Sequence, residues 1–420
     1  MGFGQGLSGL NAASQNLDVI GNNIANSGTV GFKSGSATFA DVYANSRVGL
    51  GVQVASINQR FTTGIVSSTG NQFDMAIDGA KGLFVVQQPS GAQLYTRNGQ
   101  FFADKSNNIV NAQGQQLMGY KLVMDGTGKP VVPAKPDKGS PLVGLTVPTG
   151  KIDPKATQEI TTQKFNLDKD AAAITATFDP DDSSTYSNAV PITVYDSLGG
   201  NHTVTQYVVK TGSNAWSTYY TYMDSGDPTA TPPVDPARHQ LTGMTLAFDG
   251  SGRLTTTPPT DTQTIPGTDL DGANTLAFTV NFEGTTQFSG GYSNNFIQDG
   301  YGSGQYASMS IGADGSVVAN YTNGVTQVMA FVVLADFANL QGLQPMGGNA
   351  WAETANSGQA IFDIPGQDGR ATIKSQAVEE SNVDMSQELV NMIIAQRTYQ
   401  ANAQTIKTQD QILQTLITMR

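Results

Sequence analysis

The chain has 420 residues, of which 38% are hydrophobic and 13% are charged, with 47 glycines, no cysteine and a net charge of −12. This length exceeds one ordinary hydrophobic core and predicts roughly two to four domains. The lack of cysteine excludes disulfides, cysteine-ligated zinc and iron–sulfur clusters, and the acidic charge without any basic run argues against a nucleic-acid partner.

Residues 3–26 predict one helix with a narrow apolar stripe. Its members recur at alternating spacings of four and three, the a/d pattern of a coiled coil. They are Phe3, Leu7, Leu10, Ser14, Leu17, Gly21 and Ile24. Four glycines weaken this helix by up to about 1 kcal/mol each relative to alanine, so packing against another helix must stabilise it. Three asparagines and a glycine at residues 22–28 predict its end.

Residues 31–71 are rich in glycine, serine and threonine and predict an extended connector with some strand. From 72 to 148 the pattern indicates strands such as Leu83–Gln87, and similar patterns return over 297–375. These two stretches predict one β domain, because the two helical ends must meet. Tight turns are predicted at Asp78-Gly79, Asn98-Gly99, Asp314-Gly315 and Asn323-Gly324.

Residues 149–296 predict a second β domain inserted into the first. Short β-branched and aromatic runs indicate strands at Ile192–Tyr195, Thr203–Val209 and Trp216–Tyr222. The aromatic side chains of the last run favour core packing over a sugar-binding platform. This stretch carries 16 Asp or Glu and 7 Lys or Arg, a net charge of −9, which favours a solvated surface.

The last 40 or so residues predict a second long helix. Ser381 or Asn382 is the predicted N-cap, with Asp384 in the first turn. A helix from there to Arg420 would be about 50 Å long, which exceeds what a domain of this size buries, so part of it should pack between subunits. Its a/d stripe consists of Met385, Leu389, Met392, Gln396, Tyr399, Ala403, Ile406, Asp410, Leu413 and Ile417. A simple core face is the alternative, but the polar members favour an intersubunit seam.

The sequence contains few candidates for chemistry. Gly4–Gly9 matches G-x-G-x-x-G but has no room for the strand that must precede a dinucleotide site. His202, His239, the acidic cluster of Asp179–Asp182 and the stretch Asp269–Gly272 lack the spacing of a known metal site. No nucleophile signature is present. We therefore predict no enzyme activity, no cofactor and no metal.

The start of the chain lacks the basic and apolar regions of a cleaved signal peptide. The longest apolar run, Val328–Ala335, has eight residues, far below the roughly 18 needed to span a bilayer. We predict no membrane insertion, and an export route that needs no cleaved signal.

Both ends of the chain resemble the bacterial flagellar rod and hook family. Leu17–Asn26 followed by Thr29–Gly35 is similar to the N-terminal signature of that family, and Asn382–Asn402 is similar to its C-terminal signature. The segments Phe39–Val42 and Val48–Val52, together with the chain length, resemble the hook members more than the shorter rod members.

The resemblance implies an α+β multidomain fold, in which the N- and C-terminal helices pair as a coiled coil and two mainly antiparallel β domains are nested as insertions. The implied domains are an inner helical assembly domain of residues 1–30 and 376–420, a connector of 31–71, a first β domain of 72–148 and 297–375, and an outer β domain of 149–296.

The resemblance also implies that copies of the chain polymerise helically into a flexible hollow tube outside the cell. This hook would act as a universal joint, transmitting torque from rod to filament. The implied partners are other copies, the rod, hook cap and hook–filament junction proteins, and the flagellar type III export apparatus. A distal rod or other axial component is the alternative within the family. A secreted β-rich adhesin is the alternative outside it, and would require a ligand site in residues 149–296.

The family roles fall on two sets of residues, which serve assembly rather than catalysis. The predicted coiled-coil interface packs Leu7, Leu10, Leu17 and Ile24 with Leu389, Met392, Tyr399, Ile406, Leu413 and Ile417. The predicted turn that leaves the inner helix contains Asn22, Asn23, Asn26, Gly31, Phe32 and Lys33.

Overall fold

The computed structural model describes residues 3–42, 49–125, 130–163, 165–226, 235–367 and 369–418. Val48 of the hook-like segment, and residues 1, 2, 419 and 420 of the predicted helical domain, lie outside these ranges. The chain divides into two compact units. The first unit comprises Met1–Thr149, Ala307–Asn320 and Thr326–Arg420, and the second unit comprises Gly150–Tyr306 and Tyr321–Val325.

The two long helices are α1 (Phe3–Ala25) and α2 (Met385–Thr418). α1 ends at the predicted asparagines, where the amide of Asn26 donates to the carbonyl oxygens of Asn22 at 3.1 Å and Asn23 at 3.2 Å. These bonds satisfy carbonyl groups that the end of a helix leaves unpaired.

The N-cap of α2 is Asp384. Its Oδ1 accepts hydrogen bonds from the amides of Ser386 at 2.9 Å and Gln387 at 3.1 Å, which satisfies two free donors of the first turn. The predicted cap at Ser381 or Asn382 is therefore wrong. The Asn382 side chain is engaged elsewhere, because its Oδ1 accepts a hydrogen bond from the amide of Ser34 at 2.8 Å.

Ten strands of the first unit lie before the second unit along the chain. They are β1 (Gly35–Val42), β2 (Gly51–Gln59), β3 (Val66–Ser68), β4 (Met75–Asp78), β5 (Leu83–Gln87), β6 (Gln93–Thr96), β7 (Phe102–Ala103), β8 (Ile109–Val110), β9 (Gln116–Tyr120) and β10 (Val143–Gly144). β1 and β2 pair as an antiparallel hairpin with an irregularity between Thr38 and Phe39. Much of the predicted extended connector 31–71 is therefore a folded hairpin, and both of its strands contact α1.

The second unit contains the next ten strands. They are β11 (Glu159–Thr162), β12 (Asn166–Asp168), β13 (Asn188–Tyr195), β14 (Asn201–Gly212), β15 (Ala215–Met223), β16 (Arg238–Ala247), β17 (Thr260–Ile265), β18 (Leu276–Asn281), β19 (Thr286–Phe288) and β20 (Phe296–Gln298). One antiparallel sheet has the order β13-β14-β15-β16, and a second has the order β17-β18-β11-β20. β11 pairs with β18, and β12 with β19, in parallel. The three predicted strand runs lie inside β13, β14 and β15.

The remaining strands are β21 (Tyr306–Ile311), β22 (Ser316–Tyr321), β23 (Thr326–Val332), β24 (Leu334–Asp336), β25 (Gln344–Gly347), β26 (Ala350–Ala352), β27 (Ile361–Asp363), β28 (Thr372–Ser375) and β29 (Ala377–Glu379). A 13-stranded sheet has the central order β21-β22-β23-β9-β5-β6-β26-β25. Strands from both sides of the insertion thus share one sheet. β28 pairs with β4 and β29 with β3, which brings the chain back beside its N-terminal part.

Two of the predicted tight turns, Asp314-Gly315 and Asn323-Gly324, lie between paired strands. Asp78-Gly79 and Asn98-Gly99 do not, and their prediction as hairpin turns is wrong. The reason is long-range pairing: β4 takes its partner β28 from the far end of the chain, and β6 pairs with β5 and β26 rather than with β7.

Each unit has its own buried core. The second unit buries Phe165, Trp216 and Tyr220 among other large apolar side chains, and the first unit buries Leu83 and Trp351 within its own cluster. The predicted α+β class is confirmed. Neither helix in the described part of the chain has an apolar stretch that would span a membrane.

Candidate assembly interface

The two terminal helices pack against each other in antiparallel directions. A Cβ atom placed on Gly6 would lie 3.1 Å from Cγ1 of Ile406, and one placed on Gly9 would lie 2.8 Å from Oδ1 of Asn402. Side chains of α2 therefore pack directly on the backbone of α1 at these two glycines. Gly6 and Gly9 lower the intrinsic helix propensity of α1, and their lack of a side chain leaves room for α2 to pack against it.

The buried face of α1 differs from the predicted stripe by one residue. Its buried members are Gly6, Ala12, Ala13, Ile20 and Asn23. Gly6, Ala13 and Ile20 repeat every seven residues, one position before the predicted seam positions 7, 14 and 21. One residue corresponds to a rotation of about 100° around the helix axis. The face that α1 packs against the rest of this chain is therefore rotated away from the apolar stripe, whose side chains are partly buried or exposed.

The same offset occurs in α2. Of the α2 residues with a described side chain, Ala395 alone is fully buried. Glu388, Ala395 and Asn402 follow each other at seven-residue spacing, one position before the predicted 389, 396 and 403. Glu388 and Asn402 are partly buried.

Five of the ten predicted interface residues are exposed within the chain, and the other five are partly buried. Leu7 is 45% exposed, Leu413 is 50% exposed and Ile417 is 74% exposed. Leu389 and Tyr399 are also exposed, whereas Leu10, Leu17, Ile24, Met392 and Ile406 are partly buried. Of the α2 members, Ile406 lies against α1, at Gly6. The assignment of the whole stripe to an interface stays a prediction.

The last turns of α2 extend past the start of α1. α2 has 34 residues and α1 has 23, and Ile406 already lies beside Gly6 in the antiparallel pair. The α2 residues 411–415 and Ile417 are exposed. This end of α2 therefore has apolar side chains that α1 is too short to cover.

An open groove of about 610 Å³ lies between α1, the β1–β2 hairpin and the first half of α2. Ala13 and Ile20 of α1, Phe39 of β1, and Ile394 and Ala395 of α2 line it. The three elements contact one another, but they leave room for further side chains. Packing in a single chain is therefore incomplete here.

The predicted turn residues tie α1 to the hairpin. The amide side chain of Asn23 is 1% exposed and forms two hydrogen bonds with Gly35, donating to its carbonyl oxygen and accepting from its N–H, each at 2.8 Å.

The turn itself depends on Gly31. Gly31 has a φ of +72°, and a Cβ there would lie 2.6 Å from the backbone nitrogen of Asn98. Glycine is required at residue 31 for both reasons. Asn26 donates through its side chain to Asn22, and Phe32 donates its amide N–H to the carbonyl oxygen of Thr29.

Lys33 belongs to a buried group of three charges. Its Nζ donates to Oε1 of Glu379 at 2.6 Å, and Nε of Arg97 donates to Oε2 of the same carboxylate at 2.5 Å. The three side chains are 1%, 0% and 2% exposed for Lys33, Glu379 and Arg97. Burial lowers the pKa of the Lys33 ammonium from its ordinary value, and the Glu379 carboxylate opposes that shift.

The histidines and acidic clusters of the second unit serve local structure. His202 lies 2.7 Å from Oδ2 of Asp196, and His239 lies 2.9 Å from Oδ2 of Asp224. Asp182 accepts a hydrogen bond from the amide of Ser184. Within the ranges that the structure describes, no three His, Asp or Glu side chains are placed to hold a metal ion.

Four family models match the chain. They are Flagella basal body rod protein at residues 5–33, Flagellar hook protein FlgE/F/G D1 domain at 76–171, Flagellar basal body protein FlaE D2 domain at 166–301, and Flagellar basal body rod FlgEFG protein C-terminal at 374–419. The chain is 44% identical to Flagellar hook protein FlgE of Salmonella typhimurium, over 100% of both chains. The chain belongs to the flagellar hook protein FlgE family. It is 33% identical to the FlgE of Borreliella burgdorferi, over 99% of this chain and 98% of that one.

A solved member of this family has a similar fold. The crystal structure of Helicobacter pylori flagellar hook protein FlgE2 matches with a TM-score of 0.50 and 14% identity, covering 74% of this chain and 100% of that chain. The two terminal family matches overlap α1 and α2, and the resemblance drawn from the terminal motifs is confirmed.

Sequence reasoning did not identify Arg97 and Glu379, although it identified Lys33. The partners are separated along the chain by 346 residues for Lys33 and Glu379 and by 282 residues for Arg97 and Glu379. Periodicity reports only on neighbours within a helix or strand. Between Leu17 and Ala40 the charged residues are Asp18 and Lys33. This isolated lysine was the signal available in the sequence.

Proposed function

We propose that this chain is the structural subunit of a flagellar hook and that it polymerises through the apolar stripes of α1 and α2. The observation that supports this most is the one-residue offset of both helices. Each helix packs a face one residue away from its apolar stripe against its own chain, and Leu7, Leu389, Tyr399, Leu413 and Ile417 of the stripes stay exposed. Large apolar side chains left exposed on two adjacent helices favour association with further protein.

The proposed polymer is a hollow tube whose inner wall is formed by the paired helices. Apolar side chains of one copy would fill the incompletely packed groove and stripes of the next. The β units lie outward in this proposal, where their polar, acidic surfaces permit neighbouring copies to slide as the tube bends. Such a tube transmits torque between rod and filament as a universal joint.

Export and partners follow from the same proposal. The subunit would pass through the flagellar type III apparatus without a cleaved signal peptide and add beneath a hook cap. The rod and the hook–filament junction proteins would contact its two ends. The full-length match to hook proteins favours this position over the distal rod. A structural role as a polymer subunit, rather than catalysis, is the function that we propose.

The test uses Leu413→Asp combined with Ile417→Asp in a strain whose own copy of the gene is deleted. Burying two unpaired carboxylates in a helical seam costs several kcal/mol, so hooks should be absent. Electron microscopy of basal bodies checks this, and secretion of the subunit into the medium shows that export still works. Complete rods without hooks in the deletion strain itself would support the assignment to the hook.

The matched control is Thr408→Asp combined with Gln411→Asp. Both residues are exposed, and they lie on the opposite side of α2 from Leu413 and Ile417. Hooks of normal appearance are expected from this variant. Normal hooks from the Leu413 and Ile417 variant would refute the stripe as the interface, and intact flagella in the deletion strain would refute the function.

A further inference from the structure

Glu379 connects the segment that follows α1 and the segment that precedes α2 to the sheet of the first unit. Lys33 follows α1 along the chain, Glu379 precedes α2, and Arg97 follows β6. The side chains of all three meet at one carboxylate. The backbone repeats this convergence, because the amide of Gly31 donates to the carbonyl oxygen of Glu379 at 2.7 Å.

Both oxygens of the carboxylate are used. Oε1 accepts from Lys33 and from the amide of Gly64 at 2.8 Å, and Oε2 accepts from Arg97. Lys33 also donates to the carbonyl oxygen of Thr62 at 2.7 Å. A buried ion pair is favourable only when its remaining donors and acceptors are satisfied in this way.

Arg97 extends the connection into the strands. Its Nη1 donates to the carbonyl oxygen of Gly82 at 2.7 Å, and its Nη2 donates to the carbonyl oxygens of Ile77 at 3.1 Å and of Gly79. These carbonyls belong to β4 and to the turn between β4 and β5. The planar guanidinium therefore fixes this turn to the carboxylate from several directions.

A second contact lies beside this group. Oδ1 of Asn382 accepts from the amide of Ser34 at 2.8 Å, and its Nδ2 donates to the carbonyl oxygen of Arg60 at 2.7 Å. Asn382 thus links the segment before α2 to the segment after α1. The two chain segments that leave the helices are held to each other as well as to the strands.

We propose that Glu379, Lys33 and Arg97 form a clamp that makes the terminal helices and the sheet of the first unit move as one body. Neutral contacts also join these segments to the sheet, such as the hydrogen bond from Nδ2 of Asn349 to the carbonyl oxygen of Val30 at 2.9 Å, and the clamp adds buried, charged bonds to them. The inference rests on the proposed function, because the clamp would carry load from an inner tube of helices to the β units of a hook. Lys33, Glu379 and Arg97 are positioning residues in this role.

Lys33→Met tests the clamp most directly. Methionine is unbranched like lysine and one atom shorter, and it cannot donate to Glu379. The Glu379–Arg97 pair then remains as one negative and one positive charge, so the sheet should still fold. We expect hooks to assemble, with the strands of the first unit losing order relative to the helices in a cryo-electron microscopy map. The torsional stiffness of the hook, measured from the recoil of a bead on a filament stub, should fall.

Lys105→Met is the matched control, since Lys105 is exposed, and it should leave both readouts at wild-type values. Asn382→Ala is a second test that leaves the buried charges in place, and it should shift both readouts in the same direction as Lys33→Met. Hooks should still assemble from both test variants, and the melting temperature of the soluble subunit separates loss of the clamp from loss of the fold.

Equal order of strands and helices in the Lys33→Met hooks, at wild-type torsional stiffness, would overturn the proposal. A fall in the melting temperature that accompanies loss of hooks would also overturn it, because Lys33 would then only stabilise the fold. The proposed function fails through a different result, namely normal hooks from the stripe variant or intact flagella without the gene.

Discussion

The second unit and the terminal helices differ in how much of their apolar surface this chain covers by itself. The second unit buries Trp216, Tyr220 and Phe278 almost completely. α2 buries only Ala395 among its described side chains and exposes Leu389, Leu413 and Ile417. A β unit that satisfies itself and helices that do not are what a polymer requires. The β unit keeps its shape outside the assembly, and the helices obtain their stability from neighbouring copies.

The largest effect that would sharpen this comparison is expected from Trp216→Ala. Trp216 is 1% exposed, and its Nε1 donates to Oε1 of Gln287 at 3.0 Å. Truncating a buried tryptophan should lower the free energy of unfolding of the second unit by about 3–5 kcal/mol. Urea unfolding followed by circular dichroism measures it. Leu198→Ala in the same unit, where Leu198 is 67% exposed, should cost little. Similar losses from both variants would contradict a self-sufficient core.

A smaller effect is expected at the glycines of α1. Gly6→Leu introduces a side chain where Ile406 already lies 3.1 Å from a Cβ position, and such overpacking costs about 1–3 kcal/mol. We expect fewer or shorter hooks by electron microscopy and slower swimming. Gly4 has nothing within 4 Å of its Cβ position, so Gly4→Ala should only raise helix propensity and leave hooks intact. If Gly6→Leu assembles as well as Gly4→Ala, the close helix pair is not part of the polymer.

The smallest effect concerns acid stability of the second unit. Burial raises the pKa of Asp196, but hydrogen bonds from His202 and from the amides of Gly200 and Leu198 outweigh it, so the pKa lies below its ordinary value. A lowered pKa stabilises the fold above the unfolded value of about 3.9 and loses that contribution as the pH falls through the folded value. Asp196→Asn should therefore unfold more easily at pH 7 and show a weaker loss of stability below about pH 4.

Urea midpoints across pH, followed by the fluorescence of Trp216 with Trp351→Phe present in both the wild-type and the variant chain, measure this dependence. The loss on acidification belongs to the second unit, so the variant should leave hook assembly at neutral pH unchanged. An acid response equal to that of the wild type would show that Asp196 does not contribute to it.

The sequence predicts what local patterns can carry. α1 is predicted at 3–26 and observed at Phe3–Ala25, and Leu83–Gln87 is a strand as predicted. The Asp384 cap was misplaced by two or three residues because Ser381 and Asn382 are equally good caps in isolation. Asn382 was not available, since a residue from the other end of the chain takes its side chain.

The sequence predicts the heptad spacing of the apolar residues on α1 and α2, but not which face of each helix packs within this chain. Heptad periodicity gives a stripe, and a stripe of leucines looks like the face that a helix buries in its own chain. The face that packs within this chain contains Gly6, Ala13 and Ile20, of which Gly6 and Ala13 are small enough to allow close approach. Small residues contribute little to a hydrophobic pattern, so the contact was invisible to it. The clamp at Glu379 was invisible for another reason, since its three members are joined only by the pairing of distant strands.

The overhang of α2 has a consequence for direction. At one end of the helix pair α2 continues alone beyond the start of α1. At the other end α1 and α2 lie side by side next to the β1–β2 hairpin. Copies stacked along an axis in a head-to-tail manner would place unlike ends together at every step, which produces an open polar assembly rather than a closed symmetric one. The two mouths of such a tube are chemically different. Growth can therefore be confined to one of them without any signal other than the shape of the last subunit.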